Sequence, residues 1–264
     1  MTAERRSFDR VADVYDTTRA LPTDVAGAIT AAIARVLRED TADACLLEVG
    51  IGTGRIAVPL AEAGVRVVGV DVAPRMLSRL RARRPDLAVA IADAHQLPFR
   101  PGSFAAALFV HVLHLMPDAR AVLRAAATTV RTGGALLLGR TETSSPTRRA
   151  VATAMRGLTG ELVGLSFPTR DWNVAATADF RAVAESLGAK LSSSVLATWE
   201  ESTTARQVIE ALAGRVYSSS WSIPDALMPE LLRQVSPRIE QLFGGLDRVV
   251  SSPGRFTLDV ARLS

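Results

Sequence analysis

The segment Leu46-Leu47-Glu48-Val49-Gly50-Ile51-Gly52-Thr53-Gly54-Arg55 constrains the fold more than any other part of the 264-residue chain. A short apolar run enters a turn with three glycines two residues apart, and helix-compatible sequence follows. Such a strand–turn–helix joint belongs to a βαβ unit, in which parallel strands are linked by crossover helices. Glycines suit the turn because its dihedrals are unusual and because a ligand can approach the main chain closely there. Glycine-rich turns serve several nucleotides, so the register carries the information. The dinucleotide fingerprint G-x-G-x-x-G needs a glycine where this chain has Arg55; here the third glycine is Gly54.

The rest of the chain extends the same unit. Apolar runs at about 44–50, 65–72, 87–93, 104–112 and 134–142 predict strands, and their continuous apolar character predicts helices on both faces. Helices are expected at about 54–63, 74–84 and 118–131, with Pro59 delaying or bending the first of them. Arg131-Thr132-Gly133-Gly134 reads as a helix stop and a turn into the fifth strand. Ahead of the sheet, Phe8, Val11, Ala12 and Tyr15 recur at helical spacing, and a second helix is expected from Thr23 to Arg38. Beyond residue 142 the pattern turns polar and then helical, and two more strands are expected at Leu191–Ser202 and Arg255–Leu263. Ser222-Ile223-Pro224-Asp225 reads as a helix start with a capping serine. Leu227, Leu231, Val235, Ile239 and Leu242 then form an apolar stripe, which Pro237 should kink or divide. The expected fold is therefore α/β: a doubly wound, seven-stranded, mostly parallel sheet with N-terminal helices and a helical lid.

Charge and composition narrow the function. The computed pI is 10.1, yet the net charge is only +4, because nearly all the basic residues are arginines and Lys190 is the sole lysine. Little titrates below the arginine range, so a small excess persists to high pH without creating a strong field. The densest basic stretch, Arg79-Leu80-Arg81-Ala82-Arg83-Arg84, falls at an expected helix end, where cations suit the dipole. The single cysteine, Cys45, excludes an internal disulfide and sits in an apolar run, as a buried thiol does. No metal site is expected. Met1–Arg10 does not read as a secretory signal, and Phe104–Met116 is too short to span a bilayer, so the expected location is cytoplasmic, with no membrane span.

The glycine turn preceded by Glu48 resembles motif I of the class I S-adenosylmethionine-dependent methyltransferases. Four further segments resemble the same family: the second strand ending in Asp71, Ile91-Ala92-Asp93-Ala94 with the following His95-Gln96-Leu97-Pro98-Phe99, the run Phe104–Met116, and the turn into Ala135-Leu136-Leu137-Leu138. Phe8-Asp9-Arg10-Val11-Ala12-Asp13-Val14-Tyr15-Asp16 is similar to the opening segment of its quinone-ring and small-molecule branch. The resemblance spans about residues 7–142. It implies that S-adenosylmethionine is the cofactor, leaving as S-adenosylhomocysteine. It also implies that Glu48, Gly50, Gly52 and Gly54 form the cofactor turn, that Asp71 and Val72 meet the ribose side, and that Asp93 and Ala94 meet the adenine. Tyr15 and Val110 complete the implied site. Asp71 also suits a helix N-cap, Asp93 a turn, and Tyr15 simple packing on the sheet. The implied organisation is 1–40 as N-terminal helices covering the cofactor site, 41–142 as the cofactor-binding core, and 143–264 as helical lid insertions plus the last two strands.

Methyl transfer from a sulfonium is an in-line displacement. The protein must position the acceptor, exclude water and remove a proton where one is present. Of His95, His111 and His114, His111 falls at the end of the fourth strand and is the candidate base. After that strand there is no Asn/Asp-Pro-Pro-aromatic run of the kind that methylates exocyclic amines, and no carboxylate-rich magnesium cluster. Trp172, Trp199, Trp221, Phe167, Phe180 and Tyr217 all lie in the second half, which suits either a lid over a small apolar or aromatic acceptor or packing among lid helices. These features speak against nucleic acid as partner and leave oligomeric state open, a dimer included. An RNA or protein methyltransferase resting on Arg79–Arg84 and Arg148-Arg149, and a non-catalytic cofactor-binding regulator, are the alternatives.

Overall fold

The computed structural model describes residues 8–38, 44–143, 145–163, 172–217, 220–221 and 223–264. Ser222 and Phe167, singled out above as a cap and a lid aromatic, lie outside these residues, as does the side chain of Trp172. The chain begins with a 3-10 turn, Phe8–Val11, and a one-turn helix α1, Tyr15–Thr18. Helix α2, Thr23–Arg38, buries Val25, Ile29, Ile33, Ala34 and Leu37 along one face.

The alternating core follows as β1 (Cys45–Val49), α3 (Ala57–Glu62), β2 (Arg66–Asp71), α4 (Pro74–Arg83), β3 (Ala88–Ile91), β4 (Phe104–Val110), α5 (Ala119–Thr129) and β5 (Val130–Thr143). Pro59 falls in the first turn of α3 because that helix starts only at Ala57. A missing N–H there breaks no helical bond. The chain continues as α6 (Pro146–Val163), α7 (Trp172–Ser186), β6 (Lys190–Thr203), α8 (Ala205–Ala213), α9 (Met228–Phe243) and β7 (Val250–Arg262).

Among the described residues, seven strands form one mixed, mostly parallel sheet in the order β3-β2-β1-β4-β5-β7-β6. β1 pairs in parallel with β2 on one side and with β4 on the other, Val49 lying opposite both Val70 and Phe109. The chain therefore winds outward in opposite directions from β1 and β4. The crevice at the C-terminal ends of such a pair is where open α/β sheets bind ligands.

Two sequence expectations need correction. The glycine pair before the fifth strand is no separate turn. Strand β5 already starts at Val130, opposite Phe104, and the register slips before Ala106 meets Ala135. Gly134 is required inside this irregularity because a β-carbon would strike the carbonyl of Ala105. The apolar stripe near the end of the chain is likewise not divided at Pro237. Helix α9 runs through it, starts with Pro229 in its first turn, and buries Met228, Leu231, Val235, Ile239 and Phe243. Pro224-Asp225 instead opens a short 3-10 turn, Asp225–Leu227.

The described residues fall into two compact units. The first comprises Met1–Glu142, Asp171–Thr198 and Arg255–Ser264, so α7 packs with the core, its Phe180, Val183 and Ala184 joining Leu123, Leu136 and Ala261. The second comprises Thr143–Arg170 and Trp199–Gly254, and α6, α8 and α9 close its own apolar centre around Leu231, Val235 and Ile239. The stretch 143–264, read from the sequence as helical lid insertions plus the last two strands, contributes residues to both units. No helix among the described residues is long and apolar enough to cross a membrane.

Candidate functional site

The C-terminal ends of β1 to β4 bring most of the sequence-selected residues together. Parallel pairing places Asp71 beside Gly50: the N–H groups of Gly50 and Ile51 both donate to the Val70 carbonyl, at 2.8 and 3.1 Å. Asp71 Oδ2 accepts from Gly52 N–H at 2.8 Å, and Oδ1 accepts from Ala73 N–H at 2.9 Å. One carboxylate thereby fixes the glycine turn and the start of α4, while its oxygens keep some acceptor capacity beyond these bonds. Burial pushes the Asp71 pKa up, opposed by its backbone hydrogen bonds from Ala73, Gly52 and Val72.

All three turn glycines have positive φ, at 76°, 56° and 82° for Gly50, Gly52 and Gly54. Their open sides differ. A β-carbon on Gly50 would collide with Val112, and one on Gly54 would press on Leu80, so both glycines make room for protein side chains. On Gly52 it would approach only the far end of Met76, at 3.2 Å, with Asp71 Oδ2 at 4.0 Å. Gly52 is therefore the glycine whose bare face lies toward the Asp71 carboxylate.

Glu48 lies in β1, inside the sheet, 3% exposed, and its Oε2 has no hydrogen-bond partner. Burial pushes its pKa from 4.5 to about 8, with Arg55 pulling down and Asp71 pushing up. A protonated carboxyl with an unpartnered oxygen in a core strand costs stability and is the kind of perturbed group that marks a functional site.

Asp93 follows β3 and receives the backbone N–H and the ring Nδ1 of His95, at 3.0 and 2.9 Å. Ala94 and Val110 are buried and Val72 is half-buried in the same region. His111 sits just past β4 with φ of 53°, a strained value for a non-glycine residue. Its Nε2 lies 3.0 Å from the Thr141 hydroxyl and accepts from Thr141 N–H at 3.3 Å, which leaves the proton on Nδ1. Burial, then Arg55, His114 and Arg19, hold the His111 pKa well below 6.5, so the ring is uncharged near neutrality.

Tyr15 packs edge-to-face on Phe8, their ring centroids 5.3 Å apart, and both rings lie against Ala12, Ala73 and Met76. Beside them are residues that sequence reading did not select. The buried Thr53 donates its hydroxyl to Asp16 Oδ1 at 2.5 Å, and Arg55 donates to the Arg19 carbonyl at 2.9 Å. Arg83 pairs with Asp16 at 3.1 Å and donates to the Thr53 carbonyl. The available signal was spacing: Arg75, Arg79 and Arg83 stand four apart, and Asp9, Asp13 and Asp16 keep nearly the same interval.

Four of the second-half aromatics lie within the described residues and have local surroundings. Phe180 fills the core, Trp199 covers Gly254, Trp221 donates to the Arg215 carbonyl at 2.9 Å, and Tyr217 is exposed. Among the described residues no group of His, Cys, Asp and Glu could hold a metal ion.

A sheet of this order with a ligand-ready edge at β1 and β4 defines a class I methyltransferase fold. Residues 47–138 match the family described as Methyltransferase domain. It is similar to the demethylmenaquinone methyltransferase of Beutenbergia cavernae, 36% identical over 146 residues, which are 53% of this chain and 57% of the relative. The demethylmenaquinone methyltransferase of Tropheryma whipplei is 35% identical over 158 residues, 59% of this chain and 65% of that one. The chain thus spans 57% and 65% of these two relatives. A crystal structure of the YcgJ protein from Bacillus subtilis shares the fold, with a TM-score of 0.56 at 17% identity over 90% of this chain and 99% of that one.

Proposed function

We propose that this protein transfers a methyl group from S-adenosylmethionine to a small apolar or aromatic molecule, at oxygen, nitrogen or carbon. The observation that carries this reading is the pairing of two perturbed carboxyls at the sheet edge. Asp71 is tied to Gly52 with acceptor capacity left over, and Glu48 is buried with an orphaned oxygen. Both defects suit this cofactor: ribose hydroxyls would donate to Asp71, and a cationic amino group would satisfy Glu48. The names of the two curated relatives support a small-molecule acceptor, a quinone in both cases.

The bound cofactor supplies an electrophilic methyl group on a sulfonium. Gly50, Gly52 and Gly54 shape the turn against which it would lie, and Asp93, Ala94 and Val72 would hold the adenine. Tyr15 and Val110 would line the remaining walls. We assign His111 the role of base where the acceptor carries a proton. Its ring is uncharged near neutrality, and its Nε2 lone pair accepts from Thr141 N–H, a bond that must give way for the base role. The acceptor itself is bound mainly for proximity and water exclusion.

The test is calorimetric titration with S-adenosylmethionine and S-adenosylhomocysteine, followed by mass spectrometry for methylated products across a quinol and phenol panel. Micromolar cofactor affinity with formation of S-adenosylhomocysteine is expected. Failure to bind either nucleoside below millimolar concentration overturns the reading.

A further inference from the structure

The N-terminal segment is attached to the glycine turn mainly through charges. Arg75, Arg79 and Arg83 stand at four-residue spacing on α4 and face the segment as a ladder. Arg75 and Arg79 both pair with Asp13, at 2.6 and 3.1 Å, and Arg83 pairs with Asp16 at 3.1 Å. Asp9 reinforces the arrangement. Its carboxylate accepts Arg75 N–H at 2.9 Å, capping a helix whose own N-cap residue, Ala73, contributes no side-chain cap. The last rung reaches the cofactor turn itself: Asp16 accepts the Thr53 hydroxyl, and Arg83 donates to the Thr53 carbonyl.

The apolar hold is confined to the buried Val11 and Ala12, with Phe8 and Tyr15 set on Ala73 and Met76. The charged side chains are largely solvent-exposed, Asp13 by 67%. Exposed ion pairs are weak and screened by salt, so a segment held this way is closed yet easily released.

Resting on the proposed cofactor, we infer that residues 8–19 form an electrostatic clasp over the glycine turn. Arg83 is its positioning residue, and the clasp governs how long the nucleoside is retained. Closing the clasp caps α4, brings Tyr15 to the Asp71 turn and holds Thr53. Opening it frees the turn for exchange.

The test uses Asp13→Asn, since Asp13 touches only the ladder and lies outside the binding residues. In the protein without nucleoside, hydrogen exchange of residues 8–19 should quicken at least fivefold in Asp13→Asn. The wild type should show the same acceleration between 0.05 and 0.5 M NaCl. By stopped flow, S-adenosylhomocysteine should leave Asp13→Asn about five to ten times faster, the loss expected from one or two exposed pairs. Its release should respond to salt less than that of the wild type, since Arg83–Asp16 is the ion pair left in the ladder, and Asp13→Glu should restore slow release. Unchanged exchange of the segment in variant and salt overturns the clasp whatever the cofactor. Segment exchange that responds to salt while no nucleoside binds removes the proposed cofactor and the retention role with it. Equal release rates in the two proteins, with the segment demonstrably loosened, overturn the retention role alone.

Discussion

Replacing Glu48 by glutamine should stabilise the ligand-free protein at alkaline pH while weakening cofactor binding. The unfolded carboxyl ionises at its ordinary 4.5 and the folded one at about 8. Between those values the folded state keeps a proton that the unfolded state gives up, so stability is full below 4.5 and falls as pH rises toward 8. The full window is worth at most about 5 kcal/mol at 1.36 kcal/mol per tenfold change in ionisation. Relaxation and water entry around the charge reduce this to about 2 kcal/mol. Glutamine keeps the shape without the titration, so Glu48→Gln should gain about 2 kcal/mol over wild type at pH 8.5, or about 4–8 °C in Tm. The two proteins should converge near pH 5. Urea and thermal unfolding of the pair from pH 5 to 9 measure this directly. If a cationic amino group satisfies Glu48, calorimetry at pH 7 in buffers of differing ionisation enthalpy should show release of about 0.9 proton on binding S-adenosylhomocysteine, a figure that follows from a tenfold excess of the protonated form. The variant should release none and bind at least tenfold more weakly. Parallel stability curves for the two proteins would refute the buried, protonated state of Glu48.

Gly50→Ala and Gly52→Ala should separate packing from binding. The first places a β-carbon 2.9 Å from Val112 Cβ and should cost about 2–3 kcal/mol in denaturant unfolding. The second should cost about 1 kcal/mol yet lower nucleoside affinity more than tenfold in calorimetry. Asp71→Asn should leave the protein folded and weaken nucleoside binding at least tenfold, with equal affinity speaking against a ribose contact. His111→Ala should lower turnover far more than cofactor affinity, and unchanged turnover with the true acceptor rejects the base. Because burial and the nearby arginines hold the His111 pKa below 6.5, the folded state binds fewer protons there than the unfolded one. Stability should therefore fall as pH drops through 6.5, and His111→Gln should flatten that part of the unfolding profile.

The parallel core was legible because its strands are covered on both faces and so read as unbroken apolar runs, as in Phe104–Val110, where every residue is buried. The one error within that core, the start of β5, has a local cause. A glycine pair reads as a turn, but Gly134 is there because the backbone of the neighbouring strand approaches too closely for a β-carbon. Pro237 misled for the opposite reason. Proline lowers intrinsic helix preference, and the buried stripe from Leu231 to Ile239 supplies enough tertiary packing to override it. The N-terminal clasp left almost no local trace, since its elements are one turn long and its pairs join residues more than 60 positions apart, as Asp13 and Arg79 are.

The glycine motif itself divides along the same line. Gly50 and Gly54 are small because Val112 and Leu80 press on them, a requirement of the fold that any ligand, or none, would leave in place. The information about a ligand resides in the bare face of Gly52 and in two carboxyls that the fold alone would not favour. Asp71 is partly buried and holds acceptor capacity in reserve, and Glu48 sits uncompensated in a central strand. A sequence pattern counts all three glycines alike. The structure sets Gly52, with the acids before and after it, apart from the two glycines that only make room for neighbouring side chains.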